Sequence, residues 1–366
     1  MQVQTNKTKL LSAVSLAERL VGKKESLPVL SCVVLEASGK TLLLRSTNLE
    51  AGVEIKIPAS IEKGGTRAIP AAVLRETLRS ISGENVTLSG SDDNITIESR
   101  GSKNLLKCIA YEEFPGLPKM GKRGGFSLER ERLHSALSAV SYAASPSMIR
   151  PELGSVYITI DDGTLTSVAT DSFRLAEKKV KGVAKKEGGE ILLPLRHAQE
   201  LAYVLERIEG EEVMMYTEDT QMIVEGNSLL FVSRIVDAQF PAYKEIIPKS
   251  FVAEATILKA DFVEVLRKAR VFSGGEQQVG FHLYPKRKIF SVTARSAEVG
   301  EMSDTIDAAV SGEDIDINFH IGYLADCLPV IQSDSITLAF AGPGKPLVVR
   351  GVSDASFMYL VMPLNR

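Results

Sequence analysis

The sequence predicts an α+β protein made of three repeated helix–strand–helix–strand domains, and three observations carry that prediction. One amphipathic helix pattern recurs three times along the chain. A second pattern follows each copy of the first, and strand-like runs lie between and after them. The 366 residues are enough for two or three domains of ordinary size.

The first helix is predicted over residues 6–22, 129–144 and 258–273. Its apolar positions are Leu10, Ala13, Val14 and Ala17; then Leu133, Ala136, Leu137 and Val140; then Phe262, Val265, Leu266 and Ala269. The i, i+3, i+4, i+7 spacing puts one apolar stripe on one helix face. The second helix carries Leu74, Thr77, Leu78 and Ile81; then Leu201, Val204, Leu205 and Ile208; then Leu324, Cys327, Leu328 and Ile331, with Thr77 the polar exception. Pro70 and Pro194 stand where two of these helices begin, a place proline tolerates.

Strands are predicted over 31–36 with 41–46, 155–160 with 164–169, and 280–284 with 288–294. Ser38-Gly39-Lys40, Asp161-Asp162-Gly163 and Pro285-Lys286-Arg287 supply the turns. Further strands follow the second helices at 85–89 and 94–99, 212–216 and 221–225, and 335–340 and 346–351. The copies align at Thr47-Asn48, Thr170-Asp171 and Ala294-Arg295, about 123 residues apart, a plausible domain length. Gly, Pro and basic residues cluster near 121–125 and 248–250, so the domains are placed at 1–123, 124–248 and 249–366. Residues 185–189 read as an exposed loop.

The formal net charge is −3, too low for a protein that holds nucleic acid by bulk positive charge. The predicted helices with their flanks are nevertheless net positive, which leaves the strands and loops acidic. A basic helical face on an acidic remainder is the footprint of a phosphate-facing surface, although solvated helix faces account for the charge alone equally well. Lys9, Lys24, Arg79, Arg150, Arg196 and Arg267 are the candidate phosphate-facing cations.

Chemistry-bearing motifs are sparse. His134, His197, His282 and His320 have no ligand spacing to one another or to cysteines, so no metal site is assigned. Cys32, Cys108 and Cys327 are odd in number, far apart and in apolar surroundings, and read as buried free thiols. The run from Ala341 to Pro346 resembles a phosphate loop but has the wrong spacing and Pro346 where Ser or Thr is needed. Asp161-Asp162 is a turn rather than a carboxylate pair. No catalytic residue and no cofactor is assigned. Without an apolar run of signal-peptide or membrane-spanning length, a cytoplasmic location is expected.

Several strings point to one family. They are Leu27-Pro28-Val29-Leu30, Thr47-Asn48-Leu49-Glu50, Phe114-Pro115, the run from Ala169 to Ala176, the run from Val236 to Tyr243, and Tyr359-Leu360-Val361-Met362-Pro363. With them the chain resembles, end to end, the beta subunit of bacterial DNA polymerase III, the DNA sliding clamps.

The resemblance implies a DNA-clamp fold in a head-to-tail homodimer. Two chains of three domains would make a ring around double-stranded DNA, with helices lining the hole and sheets outside. It implies a processivity factor without catalytic residues, placed on DNA by an ATP-driven clamp loader and shared by DNA polymerases and repair factors. It also implies a peptide pocket made here by Leu153, Thr170, Ser172, Phe173, Arg174, Leu175, Pro241, Ile246, His320, Tyr323, Met362, Pro363 and Leu364. By analogy, the strand near 103–109 would meet the partner near Phe272-Ser273, with Leu106 and Phe272 as apolar contacts. Ser172-Phe173 stands where the family often has Gly-His, Pro151-Glu152 replaces a tyrosine-rich stretch, and Glu245 takes a position that is often basic. The competing reading is a repeated-domain interaction scaffold that does not encircle DNA; a ring with a central hole in electron micrographs separates the two.

Overall fold

The computed structural model describes residues 1–22, 27–91, 93–117, 125–184, 189–218 and 220–364. One element order runs through the chain three times. The first copy is β1 (Gln2–Asn6), α1 (Lys7–Glu18), β2 (Cys32–Ser38), β3 (Thr41–Thr47), β4 (Ala51–Pro58), β5 (Ser60–Lys63), β6 (Gly65–Pro70), α2 (Ala71–Ser80), β7 (Asn85–Ser91), β8 (Asn94–Ser99) and β9 (Ser102–Lys107). The second is β10 (Phe126–Glu129), α3 (Arg130–Ser138), β11 (Ser155–Asp161), β12 (Thr164–Thr170), β13 (Arg174–Lys181), β14 (Ile191–Pro194), α4 (Leu195–Arg207), β15 (Glu212–Glu218), β16 (Gln221–Glu225) and β17 (Leu229–Arg234). The third is β18 (Ala253–Leu258), α5 (Lys259–Phe272), β19 (Gln278–Tyr284), β20 (Ile289–Ser296), β21 (Gly300–Ile306), β22 (Ala308–Gly312), β23 (Ile315–His320), α6 (Ile321–Asp326), β24 (Ser335–Phe340), β25 (Leu347–Gly351) and β26 (Asp354–Val361).

Two helices are shorter than their apolar stripes suggest. After α3 the chain turns through a 3-10 segment at Ser141–Ala143, where the Ser141 hydroxyl bonds back to the Leu137 carbonyl. After α6, Cys327 and Leu328 stay buried but sit on a turn, and Ile331, also buried, lies just beyond it. Pro329 explains this stop, because it disfavours helical backbone at the residue before it.

The chain forms two compact units, residues 1–134 with 199–235 and residues 135–198 with 236–366. The cuts fall inside α3 and α4, so the middle copy contributes to both units. Sheet pairing is the cause. In the first unit, an eight-stranded sheet of order β10-β15-β16-β17-β4-β3-β2-β6 joins four strands of the second copy to four of the first. The seam is the antiparallel pair β17–β4, from Leu229 opposite Ile55 to Ser233 opposite Ala51. A five-stranded sheet, β5-β1-β7-β8-β9, completes that unit.

In the second unit, a nine-stranded sheet of order β14-β11-β12-β13-β26-β25-β24-β18-β22 is seamed at β13–β26, from Arg174 opposite Val361 to Lys178 opposite Phe357. A four-stranded sheet, β21-β20-β19-β23, accompanies it. Its core includes Phe281, whose ring centroid lies 5.8 Å from Phe262, 5.5 Å from Phe290 and Phe319, and 6.4 Å from Phe340. Such tilted and edge-on contacts suit aromatic quadrupoles.

A similar tie appears in every copy. The first residue of the first helix sends its cation to the C-terminal end of the second in the first two copies, and to the chain five residues beyond α6 in the third. Lys7 Nζ donates to the Ile81 carbonyl at 2.9 Å and Lys259 Nζ to the Ile331 carbonyl at 2.6 Å. Arg130 donates to the Leu205 carbonyl and, at 2.9 Å, to that of Gly210. The backbone amides of the same three residues donate to Glu84, Glu211 and Asp334. At the ends of α2 and α4 such a cation satisfies orphan carbonyls and complements the helix dipole.

Two sequence expectations need correction. Cys32 and Cys327 are buried, but Cys108 is half-buried; all three are free thiols. Burial pushes the Cys32 thiol up to about 11. The third-copy counterpart of Thr47 and Thr170 is Ser296, two residues beyond Ala294. Each of these hydroxyls accepts from the amide two residues on, Leu49, Ser172 and Glu298 respectively. Residues 185–188 of the expected loop, and most of the first expected boundary, lie outside the described residues.

Candidate docking site and helix surfaces

The pocket residues suggested by resemblance all belong to the second unit, and most of them gather around Arg174. The turn between β12 and β13 is held by its own side chains. The Thr170 hydroxyl donates to the Arg174 carbonyl at 2.6 Å, and Asp171 Oδ1 accepts from the Phe173 and Arg174 amides at 2.9 and 3.0 Å. These bonds hold Ser172 at φ 79, a left-handed conformation that non-glycine residues seldom adopt. They also leave the Phe173 side chain 60% exposed.

Arg174 then turns inward. Its Nε donates to Asp171 Oδ2 at 2.9 Å and its Nη1 to Asp326 on α6. Its guanidinium lies 4.5 Å from the Tyr323 ring centroid and 5.8 Å from that of Tyr142. Burial works against the charge but is outweighed by Tyr359, the bond to Asp326 and the charge of Asp171, which raise Arg174 above its ordinary range. Burial also raises the Tyr359 phenol, so at neutral pH the two carboxylates are what hold the cation. The buried Tyr142 hydroxyl has no hydrogen-bond partner among the described residues.

His320 caps α6, its Nδ1 accepting from the Tyr323 amide at 3.3 Å, and its ring lies 4.4 Å from that of Tyr323. The C-terminal run is stitched to the same turn. The Met362 amide donates to the Phe173 carbonyl at 2.8 Å, and the Leu364 amide to Asn318 at 2.9 Å. Pro363 and Leu364 are half-buried. Beneath them lies a core of Leu175, Phe240, Tyr243, Met358 and Leu360, with Met362 packed on it. Pro241 and Ile246 flank Tyr243 and are exposed, Ile246 at 52%. Leu153 is buried at the foot of its own loop. The sequence reading missed Asp171, Asp326, Tyr142 and Tyr359 as the support of Arg174. Only Asp171, beside Thr170, carried a local signal, that of an Asx turn.

The candidate DNA-facing cations are dispersed. Lys9 on α1 is exposed and 3.6 Å from Glu209. Arg79 on α2 is 3.5 Å from Glu76, and Arg150, in a loop, is 2.9 Å from Glu152. Arg196 on α4 and Arg267 on α5 are exposed, and Lys24 lies outside the described residues. Leu106 on β9 is turned into its own unit at 6% exposure, whereas its neighbour Leu105 is 68% exposed; Phe272 is half-buried. Among the described residues, no cluster of three or more His, Cys, Asp or Glu could hold a metal ion, and no helix is long and apolar enough to cross a membrane.

Three copies of one element order, seamed through sheet edges and with an arginine-centred side-chain cluster beside one seam, define a modular repeat protein. Domain families match the chain in the same order: the DNA polymerase III beta subunit N-terminal domain over residues 1–118, its central domain over 127–242 and its C-terminal domain over 244–365. The beta sliding clamp of Synechococcus elongatus is 24% identical, over 100% of this chain and 99% of its own. The DNA polymerase III beta subunit of Thermotoga maritima superposes with a TM-score of 0.93 at 23% identity, over 100% of this chain and 99% of that one. A Pseudomonas aeruginosa sliding clamp bound to griselimycin also gives 0.93, at 22% identity and 100% coverage of both chains. The chain belongs to the DNA polymerase III beta subunit family, the beta sliding clamps. The members of this family are processivity factors of DNA replication.

Proposed function

We propose that two copies of this chain close head to tail into a ring that surrounds duplex DNA and tethers polymerases to it. The observation that carries the reading is the use of strand edges. The last strand of the second copy, β17, pairs with β4 of the first, and the last strand of the third, β26, pairs with β13 of the second. The corresponding members left over are β9 and β21, both at sheet edges. Pairing β9 of one molecule with β21 of another repeats the same seam, and a heterologous contact that closes gives a ring. The clamp domains are taken as 1–123, 124–248 and 249–366.

Retention on DNA is topological in this reading. Exposed cations such as Lys9, Arg79, Arg150, Arg196 and Arg267, with Lys24, make weak and exchangeable phosphate contacts that do not set a register. An ATP-driven loader places the ring. Clamp loaded on nicked circular DNA should co-elute with it in gel filtration at moderate salt, and should separate once a single cut linearises the circle. Equal retention on both forms would mean that direct binding holds the protein.

The cleft around Arg174 is proposed to take the short apolar peptides of polymerases, loader and repair factors. Apolar ground with a few fixed polar groups suits such anchoring. Met362→Lys should cost at least about tenfold in affinity for a clamp-binding peptide while leaving the dimer intact. Undiminished affinity rules the cleft out.

A further inference from the structure

The seam between α5 and α6 holds a cavity of about 380 Å³, lined by Val263, Leu266, Ile321, Ala325, Leu328 and Pro329 together with Gly322 and the cations Lys259, Arg267 and Arg270. No carboxylate lines it. The corresponding seam of the first copy is filled. Lys7 and Lys259 both open their helices, as do Ala71 and Ile321. Counting from these starts, Glu18 corresponds to Arg270, Arg75 to Ala325 and Ala72 to Gly322. In the first copy, Arg75 Nη1 reaches Glu18 Oε2 at 2.5 Å across the seam. In the third copy the long side chain is an alanine, and the acid has become a second arginine. The exchange opens the space and removes the anion together. Among the described residues, Lys268 is the cation of α5 that makes ion pairs, with Glu264 and Asp304, and Arg267 and Arg270 make none.

We propose that this seam is a docking site for a short acidic peptide segment. An apolar side chain of the segment enters between Leu266, Ala325 and Leu328, and an adjacent Asp or Glu meets Arg270 and Arg267. Both halves of the site are needed to choose this occupant. A DNA backbone supplies the anion but nothing for the apolar floor. Unstacked bases call for aromatic platforms, and no aromatic residue lines the cavity. A carboxylate beside an aliphatic or aromatic side chain matches both features, with the charge-assisted bonds giving orientation. The inference does not require a ring. If α5 and α6 face the duplex as the clamp reading holds, segment and DNA compete for Arg267.

The test uses the whole 366-residue chain and a fluorescein-labelled blocked peptide, Asp-Leu-Phe-Glu, followed by fluorescence polarisation. Saturable binding is expected, weakened at least about tenfold by Ala325→Arg, which refills the seam as Arg75 does in the first copy. The same loss is expected for Arg270→Glu. The pair Ala325→Arg with Arg270→Glu rebuilds the first-copy ion pair, so it should fold with an unchanged circular-dichroism melt and still not bind. The peptide Asn-Leu-Phe-Gln should bind much more weakly than the acidic one. Met362→Lys should leave the part of this binding that depends on Ala325 and Arg270 unchanged, which separates the seam from the Arg174 site. No saturable binding by the wild type, or equal binding by Ala325→Arg, overturns the proposal. So does a short duplex that binds with the same dependence on Arg270 and Ala325 while the peptide does not, because the seam is then a phosphate contact.

Discussion

Arg174 has a structural counterpart without charge. Where Arg174 pairs with Val361 and Met362 bonds to Phe173, Ala51 pairs with Ser233 and the Arg234 amide donates to the Glu50 carbonyl at 2.8 Å. The turns match as well: Asn48 Oδ1 accepts from the Glu50 and Ala51 amides as Asp171 does one copy later, and Leu49, like Ser172, has a positive φ. Glu200 occupies in α4 the place of Asp326 in α6, and it is paired by Arg19 from the end of α1. The same scaffold thus holds a half-buried cation over tyrosine rings at one seam and a methyl group at the corresponding place of the other. His320 at this site makes stability depend on pH. Burial first, and then the charge of Arg174, hold the imidazole below its usual 6.5, against the pull of Asp326 and Asp171. A depressed folded value means that the unfolded chain binds the proton more readily. The contribution of His320 is therefore complete above about 6.5 and is lost as pH falls towards the folded value. His320→Asn keeps an acceptor at the helix start and does not titrate. Its melting temperature should fall less than that of the wild type between about pH 7.5 and pH 5.5; parallel curves would contradict the assignment.

At the scale of elements, the repeated bond from the start of the first helix ties down the chain that follows a helix as short as α6. Isolated helices of that length are unstable, so packing and end contacts decide. Lys259 supplies one such contact at Ile331, and its aliphatic stem lines the α5–α6 seam. Lys259→Met keeps the stem and removes the charge-assisted bond. A loss of about 1.5–3 kcal/mol is expected in urea denaturation, the range for a hydrogen bond to a charged group. An unchanged midpoint would show the carbonyl to be served equally well by water. The helix stripes were legible in sequence because burial on one face imposes a period. The caps were not, because a lysine at a helix start looks like any solvated charge until the end of the other helix is placed against it.

For the whole molecule, the seams are the organising feature. They are pairings between strands far apart in sequence, and the chain leaves β9 and β21 as edges. Exposed edges of this kind invite pairing with another chain. Beta strand β9 presents Lys103, Leu105 and Lys107 to solvent, whereas β21 presents Glu301. Opposite charges on paired strands favour association. Leu105→Asp combined with Lys107→Glu should therefore weaken the dimer at least about tenfold, seen as a shift towards monomer in sedimentation. Leu106→Ala, at a position turned into its own unit, should cost stability instead. Undisturbed dimers in the first variant would place the interface elsewhere.

What the sequence determined by itself is whatever rests on local periodicity and local chemistry. The three copies, the helix faces, the hairpins from Cys32 to Thr47 and from Ser155 to Thr170, and the turn at Asp161-Asp162-Gly163 all follow from spacing within a few residues. The tertiary structure alone decided which copy's strands share a sheet, why the middle copy is divided between two units, and which carboxylates hold Arg174. It alone decided that Leu105 faces solvent while Leu106 does not, and that the third helix pair is open where the first is closed. The physical reason is common to these cases. Strand edges carry no side-chain signature of their partner, and a buried charge is read only through neighbours that folding brings from distant parts of the chain.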